Sequence, residues 1–277
     1  MSPRLYGSPE GRPLFYFHGV PGAAVEAEML HQAALAQGIK LLVVARQLPN
    51  ELDSEDYLQQ LAQQVTQHAA GQPIHLLGFS IGACLALRVA ARLGTQVTAV
   101  HLLSAAAPWE VASNRVGMGA GRYTFAWAQH SPRLFRAFAS YQALLAKVSP
   151  RLLLNLLFAG AGGNDRELLR QSATVDWLKA IQRDCFQHGI NNYARDIRLY
   201  VEPWAAELRD VTAAVNLWHG EADNWAPIAM SAYLEQQLTV VTTFTRCAGQ
   251  AHYTCLLENA AAAMACVSAS AQNNLPE

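Results

Sequence analysis

The 277-residue sequence predicts an α/β fold, a mostly parallel sheet with helices on both faces, interrupted by a long helical insertion. Three observations carry that expectation. Short aromatic or β-branched apolar runs alternate with amphipathic stretches as far as Pro108, the alternation then stops, and it resumes near Val215. The expected organisation is a core of residues 1–108 and 205–277, with residues 109–204 inserted between its halves.

The first strand is Leu14-Phe15-Tyr16-Phe17, which ends abruptly in the turn-forming His18-Gly19-Val20-Pro21-Gly22. Residues 25–37 favour helix by composition and stop at Gly38. The β-branched run Ile39-Lys40-Leu41-Leu42-Val43-Val44 follows as a second strand. Asp53-Ser54-Glu55-Asp56 supplies cap-type and acidic residues for a helix start, and Tyr57, Leu61 and Val65 repeat every four positions until Gly71-Gln72-Pro73. Ile74-His75-Leu76-Leu77 is a third strand. From Ile81 the pattern turns helical, with Leu85, Val89 and Leu93 on one stripe before Gly94, and residues 97–103 form a fourth strand. Right-handed crossovers then make these strands parallel.

Residues 109–204 show helical stretches and no convincing strand, with loops expected at Gly117-Met118-Gly119-Ala120-Gly121 and Gly160-Ala161-Gly162-Gly163-Asn164. Beyond them lie a strand at Val215-Asn216-Leu217-Trp218, a helix at residues 228–238, a strand at 239–245 and an Ala-rich helix at 253–268.

Bulk composition narrows the function classes. A hydrophobic share of 52% and a charged share of 15% describe a compact globular chain. Twenty basic against twenty-one acidic residues leave no overall field that favours nucleic acid, an anionic membrane or a polyacidic substrate. No apolar leader segment opens the sequence and no run reaches the roughly 18 apolar residues of a membrane helix, so the expectation is a cytoplasmic protein without a membrane span. Five cysteines, Cys84, Cys185, Cys247, Cys255 and Cys266, include no C-x-x-C pair and read as free thiols rather than a zinc site or disulfide framework. Cys247 and Cys255 could pair only in an oxidising compartment.

The chemistry concentrates in four segments. Gly78-Phe79-Ser80-Ile81-Gly82 matches G-x-S-x-G directly after a strand and directly before a helix, the context in which a sharp turn presents a serine nucleophile. The Ile81 N–H at the helix start can donate to a developing oxyanion. Val20, in a loop at the same carboxyl edge of the sheet, offers a second N–H. His18 reads as an organiser of that loop rather than a proton carrier.

A serine hydroxyl needs a base, and the base needs a carboxylate to fix its tautomer. His252 follows the last strand, which brings it to the same edge. His75 lies within a strand, while His130 and His188 lie in the insertion, so all three read as structural. In Trp218-His219-Gly220-Glu221-Ala222-Asp223, Asp223 gives the chain order Ser, Asp, His; Glu221 is the rival carboxylate and His219 reads as a loop residue.

These residues together resemble the α/β-hydrolase superfamily, specifically the bacterial-type serine hydrolases with an H-G-x-P-G oxyanion loop and a helical cap. The matching positions are His18 to Gly22, Gly78 to Gly82, His219-Gly220 with Asp223 and Pro227, and His252. The resemblance implies a cap closing over an apolar pocket, no cofactor or metal, and hydrolysis of an ester or related bond through an acyl-enzyme on a small apolar substrate. Three departures stand out. Arg46-Gln47-Leu48-Pro49-Asn50 replaces the usual D-x-P-G-x-G-x-S loop, Ala251 replaces the second glycine of G-x-G-H, and the thirteen residues before Leu14 leave the leading antiparallel strands missing or very short.

A serine at position 80 excludes the branches that use an aspartate nucleophile. Carboxylic-ester, thioester or lactone hydrolysis comes first. C–C bond hydrolysis, a lyase or perhydrolysis on the same triad, and a non-catalytic ligand-binding role, are the alternatives.

Overall fold

The computed structural model describes residues 3–49 and 51–272. Asn50 of the departing loop and residues 273–277 of the expected second core segment lie outside the described residues. Seven strands form one sheet in the order β1-β3-β2-β4-β5-β6-β7. They are β1 (Arg4–Gly7), β2 (Arg12–Phe17), β3 (Ile39–Val43), β4 (Ile74–Phe79), β5 (Val97–Leu103), β6 (Ala214–Gly220) and β7 (Val241–Cys247). Every neighbouring pair is parallel except β1 with β3. One leading antiparallel strand is therefore present, four residues long.

The core helices are α1 (His31–Ala36), α2 (Ser54–Ala69) and α3 (Ile81–Leu93). The expected helix over residues 25–37 divides into a 3-10 segment, Ala24–Leu30, followed by α1. Asp53 caps α2 as its spacing predicts, accepting the Asp56 N–H at 2.8 Å. Between β5 and β6 come α4 (Gly121–His130), α5 (Pro132–Val148), α6 (Pro150–Phe158), α7 (Asp165–Leu168), α8 (Ser172–Phe186) and α9 (Asn191–Val201), with no strand among the described residues. The chain closes with α10 (Ala229–Gln237) and α11 (His252–Gln272). The last strand starts two residues later than expected. Thr239 and Val240 are exposed and lie outside it, while Arg246 and Cys247 pair with His219 and Gly220.

The chain passes from β2 outward to β3 and then returns to the other side of β2 for β4. Strand order reverses there, and the loops after β2 and β4 diverge and leave a crevice at the carboxyl edge. β4 is buried along its whole length, consistent with a strand covered on both faces. No helix among the described residues is long and apolar enough to cross a membrane.

Candidate active site

Ser80 sits at the β4–α3 junction with φ 57° and ψ −128°, a conformation rare for a residue with a side chain. The flanking glycines are sterically required. A Cβ on Gly82 would lie 2.0 Å from the Phe17 carbonyl oxygen, and one on Gly78 would lie 2.7 Å from the Ala83 Cα. The turn is thus packed against β2 on one side and against its own helix on the other. The Ser80 carbonyl accepts from Ala83 N at 3.0 Å and from Ala106 N at 3.1 Å.

His252 is the first residue of α11 and is buried. Its Nδ1 lies 2.7 Å from Asp223 Oδ2, and its carbonyl accepts the Ser104 hydroxyl at 3.1 Å. Asp223 Oδ1 accepts the backbone N–H groups of Trp225 and Ala226 at 2.9 and 3.0 Å. With both oxygens engaged, the carboxylate is held in one orientation. Burial works to raise the Asp223 carboxyl, but the two neighbouring imidazoles outweigh it and hold the group well below the usual carboxylate range. Burial works to lower His252, and Asp223 reverses it to a net upward shift. Glu221, the rival carboxylate, is exposed, and its backbone N–H donates to Cys247 O at 3.1 Å.

One cavity of about 480 Å³ is lined by Ser80, His252, Val20 and Ile81 together. Neither the Val20 nor the Ile81 N–H donates a hydrogen bond to any described residue, so both donors remain available at the cavity wall. The rest of the wall is mostly apolar and comes from both sides of the insertion's junction with the core, including Phe125, Leu145, Tyr193 and Trp225. Two glycine-rich loops join that segment to the Asp223 turn. Asn224 donates to Gly160 O at 2.6 Å and accepts from Gly162 N at 3.2 Å, while its own carbonyl accepts from Gly119 N at 2.8 Å. A Cβ on Gly162 would meet the Ala222 carbonyl at 2.0 Å.

Four supporting residues escaped the sequence reading. His219 is no loop residue: it is the penultimate residue of β6, fully buried, with Nδ1 2.6 Å from the Ser231 hydroxyl and Nε2 2.6 Å from the Ala226 carbonyl, bracing the turn that carries Asp223. Glu26 is buried beneath the loop after β2, where Oε1 accepts the Gly19 N–H at 2.9 Å and the Tyr16 hydroxyl at 2.6 Å. Burial pushes the Glu26 carboxyl up to about 7, against the opposing pull of those hydrogen bonds. Asp165 in α7 accepts from Tyr253 N, Thr254 N and the Thr254 hydroxyl at 2.7–2.9 Å, capping α11 from a distant segment. The fourth, Arg46, stands where the sequence departs from the family loop. It donates to the His18 and Gly19 carbonyls at 2.7 and 2.9 Å and pairs with Asp196 of α9 at 3.2 Å. His18 is accordingly an organiser: burial first, then the Arg46 charge, pushes its imidazole well below the usual range. The signals available for these were the departure itself at Arg46 and, for His219, its place in the matching His219-Gly220 pair. Cys84, Cys185, Cys247 and Cys255 are free thiols.

Comparison with known structures settles the architecture. An esterase from Exiguobacterium antarcticum superposes with a TM-score of 0.64 at 16% identity, covering 96% of this chain and 93% of that one. An α/β-hydrolase fold protein from Nakamurella multipartita does so with a TM-score of 0.59 at 16% identity, covering 95% and 94%. This chain has the α/β-hydrolase fold. An enol-lactonase from Burkholderia xenovorans LB400 shares the fold with a TM-score of 0.65 at 14% identity, covering 97% and 95%. The Thioesterase domain family matches residues 12–147, a stretch running from the start of β2 into the last turn of α5 and containing Ser80. No curated protein sequence matches the chain.

Proposed function

We propose that this protein is a serine hydrolase that cleaves a small-to-medium apolar carboxylic ester, thioester or lactone through an acyl-enzyme. The observation that carries the reading is the pairing of His252 Nδ1 with Asp223 Oδ2 at 2.7 Å, on an imidazole that lines the same cavity as the strained Ser80. The match to the Thioesterase domain family supports the same bond class, as do the esterase and enol-lactonase that share the fold.

In this mechanism Ser80 Oγ attacks the acyl carbon while His252 Nε2 takes its proton, and the carbonyl oxygen becomes an oxyanion held by the N–H groups of Val20 and Ile81. Collapse expels the alcohol or thiol, which leaves with the proton from His252. Water, deprotonated by the same imidazole, then releases the acid and restores Ser80. Asp223 keeps the tautomer and stabilises the imidazolium without itself taking a proton. Residues 109–204 act as the cap that roofs the apolar chamber. Because Asp223 raises the His252 imidazole above its ordinary value, kcat/KM rises with pH along a limb displaced above the roughly 6.5 of free histidine.

The test is covalent labelling with a fluorophosphonate probe, alongside turnover of p-nitrophenyl esters and acyl thioesters. Wild type labels at Ser80 and turns over at least one ester. Ser80→Ala does neither, and Asp223→Asn loses roughly 10⁴ in kcat while remaining folded. A folded wild type that fails to label, or labelling that survives Ser80→Ala, removes the proposal.

A further inference from the structure

The net charge of −1 averages over a strong local asymmetry. Residues 111–164 contain six basic side chains and no aspartate or glutamate. The same segment holds eight of the twelve large hydrophobic side chains that stand exposed among the described residues. The two properties are organised rather than mixed. On α5, Leu134, Tyr141, Leu144 and Val148 recur at steps of seven, three and four, which is one stripe of a helix, and they are 49–64% exposed. The opposite stripe, Phe135, Ala139, Gln142 and Ala146, is buried against the rest of the molecule. Between the two, on the outer surface, run Arg133, Arg136 and Lys147. Leu152 and Leu156 of α6, one turn apart and about half exposed, lie beside Arg151 in the same manner.

We infer that this face of α5 and α6 seats the protein on an anionic lipid bilayer, with the cavity mouth toward the lipid, so that the ester is drawn from the membrane. Its position relative to the cavity is what gives the face a purpose. Tyr141 and Leu156 belong to the exposed apolar stripe and also line the cavity that contains Ser80. An acyl chain leaving a bilayer therefore meets continuous apolar surface from the stripe into the chamber. Acyl chains take up the protruding apolar side chains and anionic headgroups the basic ones, with no need for a shaped partner. A second copy of the chain fits less well, because a two-fold contact would set the same cations against one another with no anion in the segment to answer them. No helix among the described residues is long and apolar enough to cross a membrane, and the attachment inferred is a peripheral one. Docking stands on the surface alone; the claim about the ester rests on the serine-hydrolase reading.

Flotation with phosphatidylcholine vesicles, pure or with roughly one-third phosphatidylglycerol, tests it, using wild type and Ser80→Ala in parallel. Both are expected to float with the anionic vesicles and not with the neutral ones. The triple variant Leu134→Ser/Leu144→Ser/Val148→Ser is expected to lose at least tenfold in partitioning. Arg133→Gln/Arg136→Gln/Lys147→Gln is expected to lose roughly fivefold per charge at low salt. None of these six residues lines the cavity, so turnover of a soluble acetate ester stays at the wild-type rate in both triple variants. Absence of binding to either vesicle, equal binding to both, or a solution dimer that the serine variant dissociates would each overturn the inference. So would retention on an immobilised acidic carrier protein without vesicle binding. Vesicle binding that persists while Ser80 fails to label leaves the docking face intact and removes only the hydrolase reading.

Discussion

Glu26 shows how a single buried side chain can tie the loop after β2, which carries Val20, to pH. Its Oε1 holds the Gly19 N–H, while Oε2 is buried with no hydrogen-bond partner. A lone unpartnered oxygen in an apolar setting disfavours the charged form, which is why the carboxyl is pushed up to about 7. A carboxyl raised on folding contributes stability that is complete below its unfolded value and is lost as pH rises through its folded one. From about pH 5 to 8, wild type should therefore lose up to about 3 kcal/mol relative to Glu26→Gln, which carries no such titration. His252, raised as well, loses stability over an overlapping range; the part of that rise due to Asp223 and Asp165 is common to both proteins, while the smaller part due to Glu26 itself belongs to the measured difference. Urea unfolding of both proteins across that range measures the difference directly. Parallel stability curves would mean that Glu26 does not titrate there.

At the scale of elements, His252 is aimed by the helix it begins. The first N–H groups of α11 have no intrahelical acceptor, and Asp165 of α7 takes two of them together with the Thr254 hydroxyl. Asp165→Ala should cost about 2 kcal/mol and lower kcat about tenfold, since α11 can then shift relative to Ser80. Asp165 also favours the charged imidazole of His252. Its removal therefore moves the acid limb of kcat/KM to lower pH, an effect that mere loosening of the helix would not produce. Asp165→Asn keeps an acceptor oxygen and should recover part of the stability but not the pH shift. Urea melts and pH–rate profiles of the three proteins decide this; an unchanged limb in Asp165→Ala would leave Asp165 with a structural role only. The contrast between His252 and Asp165 marks what was legible in the sequence. Strand periodicity and the glycines around Ser80 are local signals, and the parallel topology then sends Val20, Asp223 and His252 to one edge without further information. Asp165, Glu26 and Arg46 act through partners distant in sequence, Asp165 on Thr254 and Arg46 on Asp196, and nothing local distinguishes them from solvent-facing charges. His219 was misread for the same reason, because its partners Ser231 and Ala226 become neighbours only when the turn closes.

At the scale of the molecule, the sheet edge carries the proposed reacting groups and the inserted helices supply most of the chamber's apolar wall. This division predicts that chemistry and chain-length selectivity can be altered separately. Leu145 comes from α5 and lines the cavity, and it belongs to none of the four segments that carry Ser80, His252, Asp223 and Val20. Leu145→Trp fills part of the roughly 480 Å³ without touching the sheet edge. Each acyl methylene denied entry forfeits about 0.8 kcal/mol of burial, so exclusion of three lowers kcat/KM roughly fiftyfold. Turnover of an acetate ester should stay within about threefold of wild type, because a two-carbon acyl group does not reach the filled region. A series of p-nitrophenyl esters from acetate to decanoate measures the profile, and the optimum should move to shorter chains. A uniform loss across the series would place the acyl chain elsewhere in the cavity and assign the α5 wall to the alcohol or thiol portion instead.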